Sequence, residues 1–204
     1  MERDVSCLIF EPLEMSAPSK STTVLLFHGG SSNNESLRPL SPYFEAHRLL
    51  LPQAPIKVGD GVFDWFRFID DKLNVDVSSL ENSITSISPL VREVRSDTDG
   101  KVVVAGISQG AVFAGELFFR NPEQFDGLMM LSGFIRAEIE NQLTQKEVFV
   151  AHGLHDQLIP IEQATKSVEI LRRRHANVQF KTYDMGHDIS AEEIGDAVAW
   201  LSNS

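Results

Sequence analysis

Lys101-Val102-Val103-Val104-Ala105-Gly106-Ile107-Ser108-Gln109-Gly110-Ala111-Val112-Phe113-Ala114 is the stretch that decides how this chain is read. A β-branched apolar run leads into Gly-x-Ser-x-Gly, and a helix-compatible segment leaves it, which is a strand–turn–helix setting. A serine at the tip of so sharp a turn must adopt a strained backbone, and non-glycine residues pay for positive φ. Side chains two positions before and after it would collide, so Gly106 and Gly110 supply room. The helix then starts beneath Ser108, where its partial positive charge favours a developing anion. Ser108 is therefore a candidate nucleophile.

The same alternation repeats on either side. Thr22–Phe27 is a continuous apolar run ending in His28-Gly29-Gly30. Asp126–Leu131 ends at Ser132-Gly133, Glu147–Ala151 at His152-Gly153, and Val178–Tyr183 precedes Gly186-His187. Runs that are apolar on both faces suit a parallel sheet covered by helices. Between them, Leu80–Val94 spaces its apolar residues by three and four, with Pro89 expected to bend or divide the helix. Gly110–Arg120 follows the serine turn, and Pro160–Arg173 begins with proline at a first helical position. Ser190 with Glu193 forms the pattern of a capping box at the start of the last helix. Strand, loop and helix in repetition predict one open α/β domain over residues 1–204, with a mostly parallel central sheet and helices on both faces.

The composition fits that domain and excludes other classes. The chain has 204 residues, 42% hydrophobic and 23% charged, which rules out a disordered or fibrous protein. Its formal net charge of −11 gives no electrostatic reason to bind nucleic acid or an anionic membrane. Cys7, in the apolar run Val5–Phe10, is the single cysteine, so no intrachain disulfide forms; a buried structural thiol is expected. The charged start Met1-Glu2-Arg3-Asp4 lacks the organisation of a secretory leader, and no apolar run approaches the ~18 residues of a membrane helix. A cytoplasmic protein without membrane insertion is expected; oligomeric state is not indicated.

A serine hydroxyl needs a base, and in such sheets functional residues gather in loops at the carboxyl ends of strands. His187 follows the last strand, with Gly186 letting the loop turn back over the sheet. Asp156, in His152-Gly153-Leu154-His155-Asp156, follows the preceding strand and can orient the imidazole and fix its tautomer. Asp184 and Asp188 are compositional rivals, disfavoured because sequence neighbours of His187 point elsewhere. His28 and His152 are read as structural groups behind the site, and His47 and His175 as solvent-facing. No zinc-ligand spacing accompanies His155, so no metal is expected. The backbone N–H of Gln109, after the serine, and of Gly30 are candidate oxyanion donors. Phe63, Trp65, Phe66 and Phe68 concentrate aromatic surface before the Leu80 helix, either as core or as an acyl-pocket wall; Phe134 could add to such a wall.

These residues carry a resemblance over nearly the whole chain. His28-Gly29-Gly30, Leu51-Pro52-Gln53-Ala54-Pro55, Trp65-Phe66, the Ser108 motif, Leu131-Ser132-Gly133, His152-Gly153 through Asp156, Ile159-Pro160 and Gly186-His187 together resemble the phospholipase/carboxylesterase family of α/β-hydrolases. The resemblance implies an α/β-hydrolase fold without a cap domain and cofactor-free hydrolysis by the triad Ser108, Asp156 and His187. It also implies oxyanion donors at Gly30 and Gln109, and substrate-binding side chains at Trp65, Phe66, Phe134 and Ile159. Arg67 stands where many members carry Asp, and the loop after Gly29 looks more like bacterial members, both pointing away from acyl-protein substrates. The expected activity is hydrolysis of short- to medium-chain carboxylic esters, with a small-molecule ester or thioester as substrate. A thioesterase or lysophospholipase is the alternative. A catalytically inactive binding module of the same fold is a third reading, opposed by the filling of all three triad positions.

Overall fold

Seven strands form one sheet in the order β1-β3-β2-β6-β7-β8-β9, in a computed structural model that describes residues 6–10, 22–70, 73–136 and 141–203. They are β1 (Cys7–Phe10), β2 (Thr23–Phe27), β3 (Arg48–Pro52), β6 (Val102–Ile107), β7 (Gly127–Leu131), β8 (Glu147–Gly153) and β9 (Asn177–Tyr183). A separate hairpin pairs β4 (Ile56–Gly59) with β5 (Val62–Asp64). The helices are α1 (Val77–Asp97), α2 (Gln109–Arg120), α3 (Ile161–Arg173) and α4 (Ala191–Asn203), with 3₁₀ turns over Asn34–Phe44. Among the described residues of the seven-stranded sheet, only β1, against β3, is antiparallel; β3-β2-β6-β7-β8-β9 are all parallel. Val5, at the head of the Cys7 run, lies outside the described residues.

Strand alternation divides the core in two, because successive side chains point to opposite faces. Leu25, Phe27, Val104, Met130 and Val150 face one layer with α1, α2 and α3. Val24, Leu26, Ala105, Met129 and Phe149 face the other, with α4 and the 3₁₀ turns. Every residue of β2, β6 and β7 is buried, which is why these strands read as unbroken apolar runs. This is the α/β-hydrolase fold, and among the described residues no further domain covers the carboxyl ends of the strands.

Several local expectations change. Helix α1 continues through Pro89 without dividing. Pro89 and Thr85, whose carbonyl loses the proline N–H, both lie on the exposed side, so water can satisfy the freed oxygen while Ile87, Leu90 and Val91 stay packed. Proline 160 sits one residue before α3 rather than inside it. Cys7 is only partly buried. His175 is exposed as expected, but His47 is buried, with neither ring nitrogen partnered. Its turn is drawn onto the sheet between buried Phe44 and β3, and burial lowers its pKa.

The capping box at α4 forms by half. The Glu193 N–H donates to Ser190 Oγ at 3.1 Å, but neither Glu193 carboxyl oxygen has a hydrogen-bond partner, and the residue is fully buried. Burial, reinforced by nearby Asp188, pushes the carboxyl from 4.5 up to about 7. The folded protein thus holds a proton that the unfolded chain releases, so stability falls as pH rises from about 4.5 through about 7. In urea titrations across that range, Glu193→Gln should gain on the wild type with rising pH, by roughly 3 kcal/mol at the upper end. Parallel profiles for the two proteins would rule this out.

Candidate active site

Ser108 stands between β6, the central strand, and α2, with φ 54° and ψ −117°. Its N–H donates to Leu131 O at 2.8 Å, and its carbonyl accepts from Ala111 and Val112 at 3.0 and 3.2 Å, so the strained turn is held from both sides. The flanking glycines are required as predicted: a Cβ on Gly106 would strike the Gly110 backbone, and one on Gly110 would strike the carbonyl of Phe27.

Two loops bring the other polar groups to this serine. His187 Nε2 lies 2.8 Å from Ser108 Oγ, and His187 Nδ1 lies 2.7 Å from Asp156 Oδ2. A carboxylate only accepts, so Nδ1 carries the proton and Nε2 is left to accept from the serine hydroxyl. Asp156 is buried, and its Oδ1 accepts the N–H groups of Leu158 and Ile159 at 2.9 and 2.8 Å. Those bonds fix the carboxylate before any proton moves. The loops are also joined to each other, since Leu154 N–H donates to Tyr183 O at 2.9 Å and His155 N–H to Met185 O at 3.0 Å. Asp184, one of the rivals, pairs with His155 at 2.8 Å, and Asp188 binds the N–H of Ile189, whereas the His187 ring bonds to Asp156 and Ser108.

The two further histidines next to the site are engaged elsewhere. His28 donates from Nδ1 to Gly29 O at 2.7 Å and accepts at Nε2 from Ala54 N–H at 3.1 Å. Burial lowers its pKa, which keeps the ring neutral. His152 is buried and donates from Nε2 to Ile159 O at 2.7 Å, behind Asp156.

Gln109 opens α2, so its N–H is one of the first-turn donors without an intrahelical acceptor. Gly30 packs against the Gln109 side chain: a Cβ there would lie 3.1 Å from the side-chain amide and 3.3 Å from Asp64 Oδ1. Asp64 also accepts the Ser31 N–H at 2.6 Å, and Ser31 has φ 50°, so the loop after Gly30 is tied to β5.

An open cleft of about 810 Å³ extends from Ser108 and His187. Its apolar wall includes Val112, Phe134, Leu158, Ile159, Phe68 and Leu73. Phe134 and Ile159 thus lie where the sequence reading puts them. Trp65 and Phe66 do not. Both are fully buried and absent from the cleft, because each is committed to holding the floor of the site. Trp65 stacks on Phe113 at 4.6 Å and donates its indole N–H to His28 O at 2.8 Å. The Gln109 side chain accepts from Trp65 N–H at 2.7 Å and donates to Phe66 O at 3.0 Å. Leu37, Leu73, Ile107, Val112, Leu158 and Ile189 are apolar wall residues missed by the sequence. Leu158 alone carried a signal, as an apolar residue in a polar loop beside Asp156.

Among the described residues no helix is long and apolar enough to cross a membrane, and no cluster of three or more His, Cys, Asp or Glu side chains could hold a metal.

The sheet order and the strained serine define the class as α/β-hydrolase, and similarity to known proteins narrows it. A sequence profile described as phospholipase/carboxylesterase matches residues 11–204, and the chain belongs to that family. It is a serine hydrolase of the ester-cleaving type, in the carboxylesterase and acyl-protein thioesterase group. It is 28% identical to acyl-protein thioesterase 1 of Kluyveromyces lactis, over 92% of this chain and 93% of that protein. Identity to acyl-protein thioesterase 1 of Mycosarcoma maydis is 30%, over 89% and 91%. A Bacillus cereus carboxylesterase structure superposes with a TM-score of 0.85 at 20% identity, covering 99% of this chain and 95% of that one. For the Zea mays acyl-protein thioesterase 2 the TM-score is 0.80 at 21% identity, covering 97% and 98%.

Proposed function

We propose that the protein is a carboxylesterase for short- to medium-chain esters, working through an acyl-enzyme on Ser108. The observation that carries this reading is the chain of hydrogen bonds from Ser108 Oγ through His187 to buried Asp156. As Ser108 Oγ attacks the ester carbonyl, its proton passes to His187 Nε2, and Asp156 stabilises the imidazolium. The carbonyl oxygen becomes an oxyanion facing the N–H groups of Gly30 and Gln109. Collapse of the tetrahedral intermediate breaks the bond to the leaving oxygen, which takes the proton from His187 and departs as the alcohol. Water then attacks the acyl-serine, its proton held by the same imidazole and returned to Ser108. No step calls for a cofactor, and the whole of residues 1–204 is read as the one catalytic domain. The cleft volume, with Phe134, Leu158 and Ile159 in its wall, supports a medium acyl chain. A cytoplasmic setting is supported by the lone cysteine, which needs no oxidising compartment.

A thioester substrate is the second reading, favoured by the names of the fungal relatives. The test pairs p-nitrophenyl esters from acetate to laurate with thioesters of the same acyl chains, alongside labelling by a fluorophosphonate. One label per chain, on Ser108, and an optimum at or below about eight carbons are expected. Absence of labelling would leave a binding module as the better account, and faster turnover of the matched thioesters would favour the second reading.

A further inference from the structure

Among the described residues, the carboxylates and bases that line the cleft carry one sign of formal charge. Asp64, Asp70 and Asp188 line it, and among the described residues that do so there is no lysine or arginine. Asp70 is bonded to Asn74. Asp64 and Asp188 accept only backbone N–H groups, from Ser31 and Ile189, and neither forms an ion pair with a described residue. Among the described residues, no cation pairs with either carboxylate. The chain as a whole carries a net −11, so the distant field adds to the local one.

We infer that this cleft selects its substrate by charge, taking esters that bear a positive group and turning anionic esters away. The inference rests on the esterase reading and adds to it the substrate class. Two effects act together. A cleft lined by one sign of charge concentrates counter-ions and repels co-ions, changing encounter rates by roughly 10–10³-fold. The second effect acts in the reaction itself. Asp64 Oδ1 lies 3.3 Å from where a Cβ on Gly30 would sit, which puts a carboxylate beside the residue proposed to bind the oxyanion. A cationic substrate brings its own compensating charge to that point, whereas an anionic substrate adds a third negative charge. Neutral esters fall between.

The choline, 3,3-dimethylbutyl and 2-sulfoethyl esters of butyric acid share acyl group and approximate shape but carry positive, zero and negative charge. Their kcat/KM values should fall in that order, with the cationic ester at least about tenfold above the anionic one at low ionic strength. The ratio should shrink with added salt, because the screening length falls. It should also shrink in Asp64→Asn and Asp188→Asn, and most in the double variant. Asparagine at 64 keeps an acceptor for the Ser31 N–H, and the ratio within each variant is independent of how much active protein it yields. p-Nitrophenyl butyrate serves as the reference substrate. Equal rates for the three esters, or a faster anionic one, would overturn charge selection while hydrolysis of the reference left the esterase reading standing. Failure to hydrolyse the reference would overturn the esterase reading itself, and the selection with it.

Discussion

Ser108→Ala should reduce kcat/KM toward butyrate and hexanoate esters by about 10⁴-fold or more while leaving the melting temperature within a degree or two. The substitution removes one oxygen and keeps the Cβ, so the positive φ of the elbow is no harder to hold for alanine than for serine. The bonds from the Ser108 N–H to Leu131 and from its carbonyl to α2 are all backbone and survive. His187, partly open to water, loses its partner at Nε2 and can be hydrated there. Activity is therefore separable from fold at this position. Fluorophosphonate labelling should vanish in parallel. Retention of more than about a tenth of the activity by a folded variant would remove Ser108 from the reaction.

Asp156→Asn should be nearly as damaging, with a loss of about 10⁴-fold at neutral pH, for a different reason. Asp156 Oδ1 holds two backbone N–H groups, so the asparagine carbonyl takes that side and its NH₂ group turns to His187. His187 Nδ1 must then accept, which leaves the proton on Nε2, pointing at a hydroxyl it can no longer deprotonate. The rise of activity with pH should be altered along with its height. Asp156→Ala is the less informative variant, since it strips acceptors from Leu158 and Ile159 and leaves the buried Ile159 N–H unpaired. Wild-type-like turnover by folded Asp156→Asn would show that the imidazole is oriented by something else.

The serine turn was legible because its requirements are local. Gly106 and Gly110 are forced by backbone that lies within a few residues or on the adjoining strand, and β-branched residues before them announce a strand. Asp156 and His187 were legible because strand-end loops of consecutive parallel strands must lie side by side. Trp65 and Phe66 were misplaced because apolarity tells that a side chain avoids water but not which surface shelters it. Their partner in the chain is the amide of Gln109, 44 and 43 positions away, and no short-range pattern reports such a bond. The β4–β5 hairpin and its tether from Asp64 to the Gly30 loop were hidden for the same reason. At Ser190 and Glu193 the spacing was right, yet packing took the carboxylate inward and left the cap with one bond instead of two.

The site also spans two very different parts of the sheet. Ser108 rises from the middle strand, whereas His187 follows β9, which among the described residues pairs only with β8 and forms one margin of the sheet. Margins of sheets fray at lower free energy than their centres, as amide hydrogen exchange detects. Opening of β9 would carry the imidazole away from a serine turn still fully formed. Heat inactivation should accordingly set in below the temperature at which the bulk of the helices melt, and turnover would serve as a reporter of this one strand.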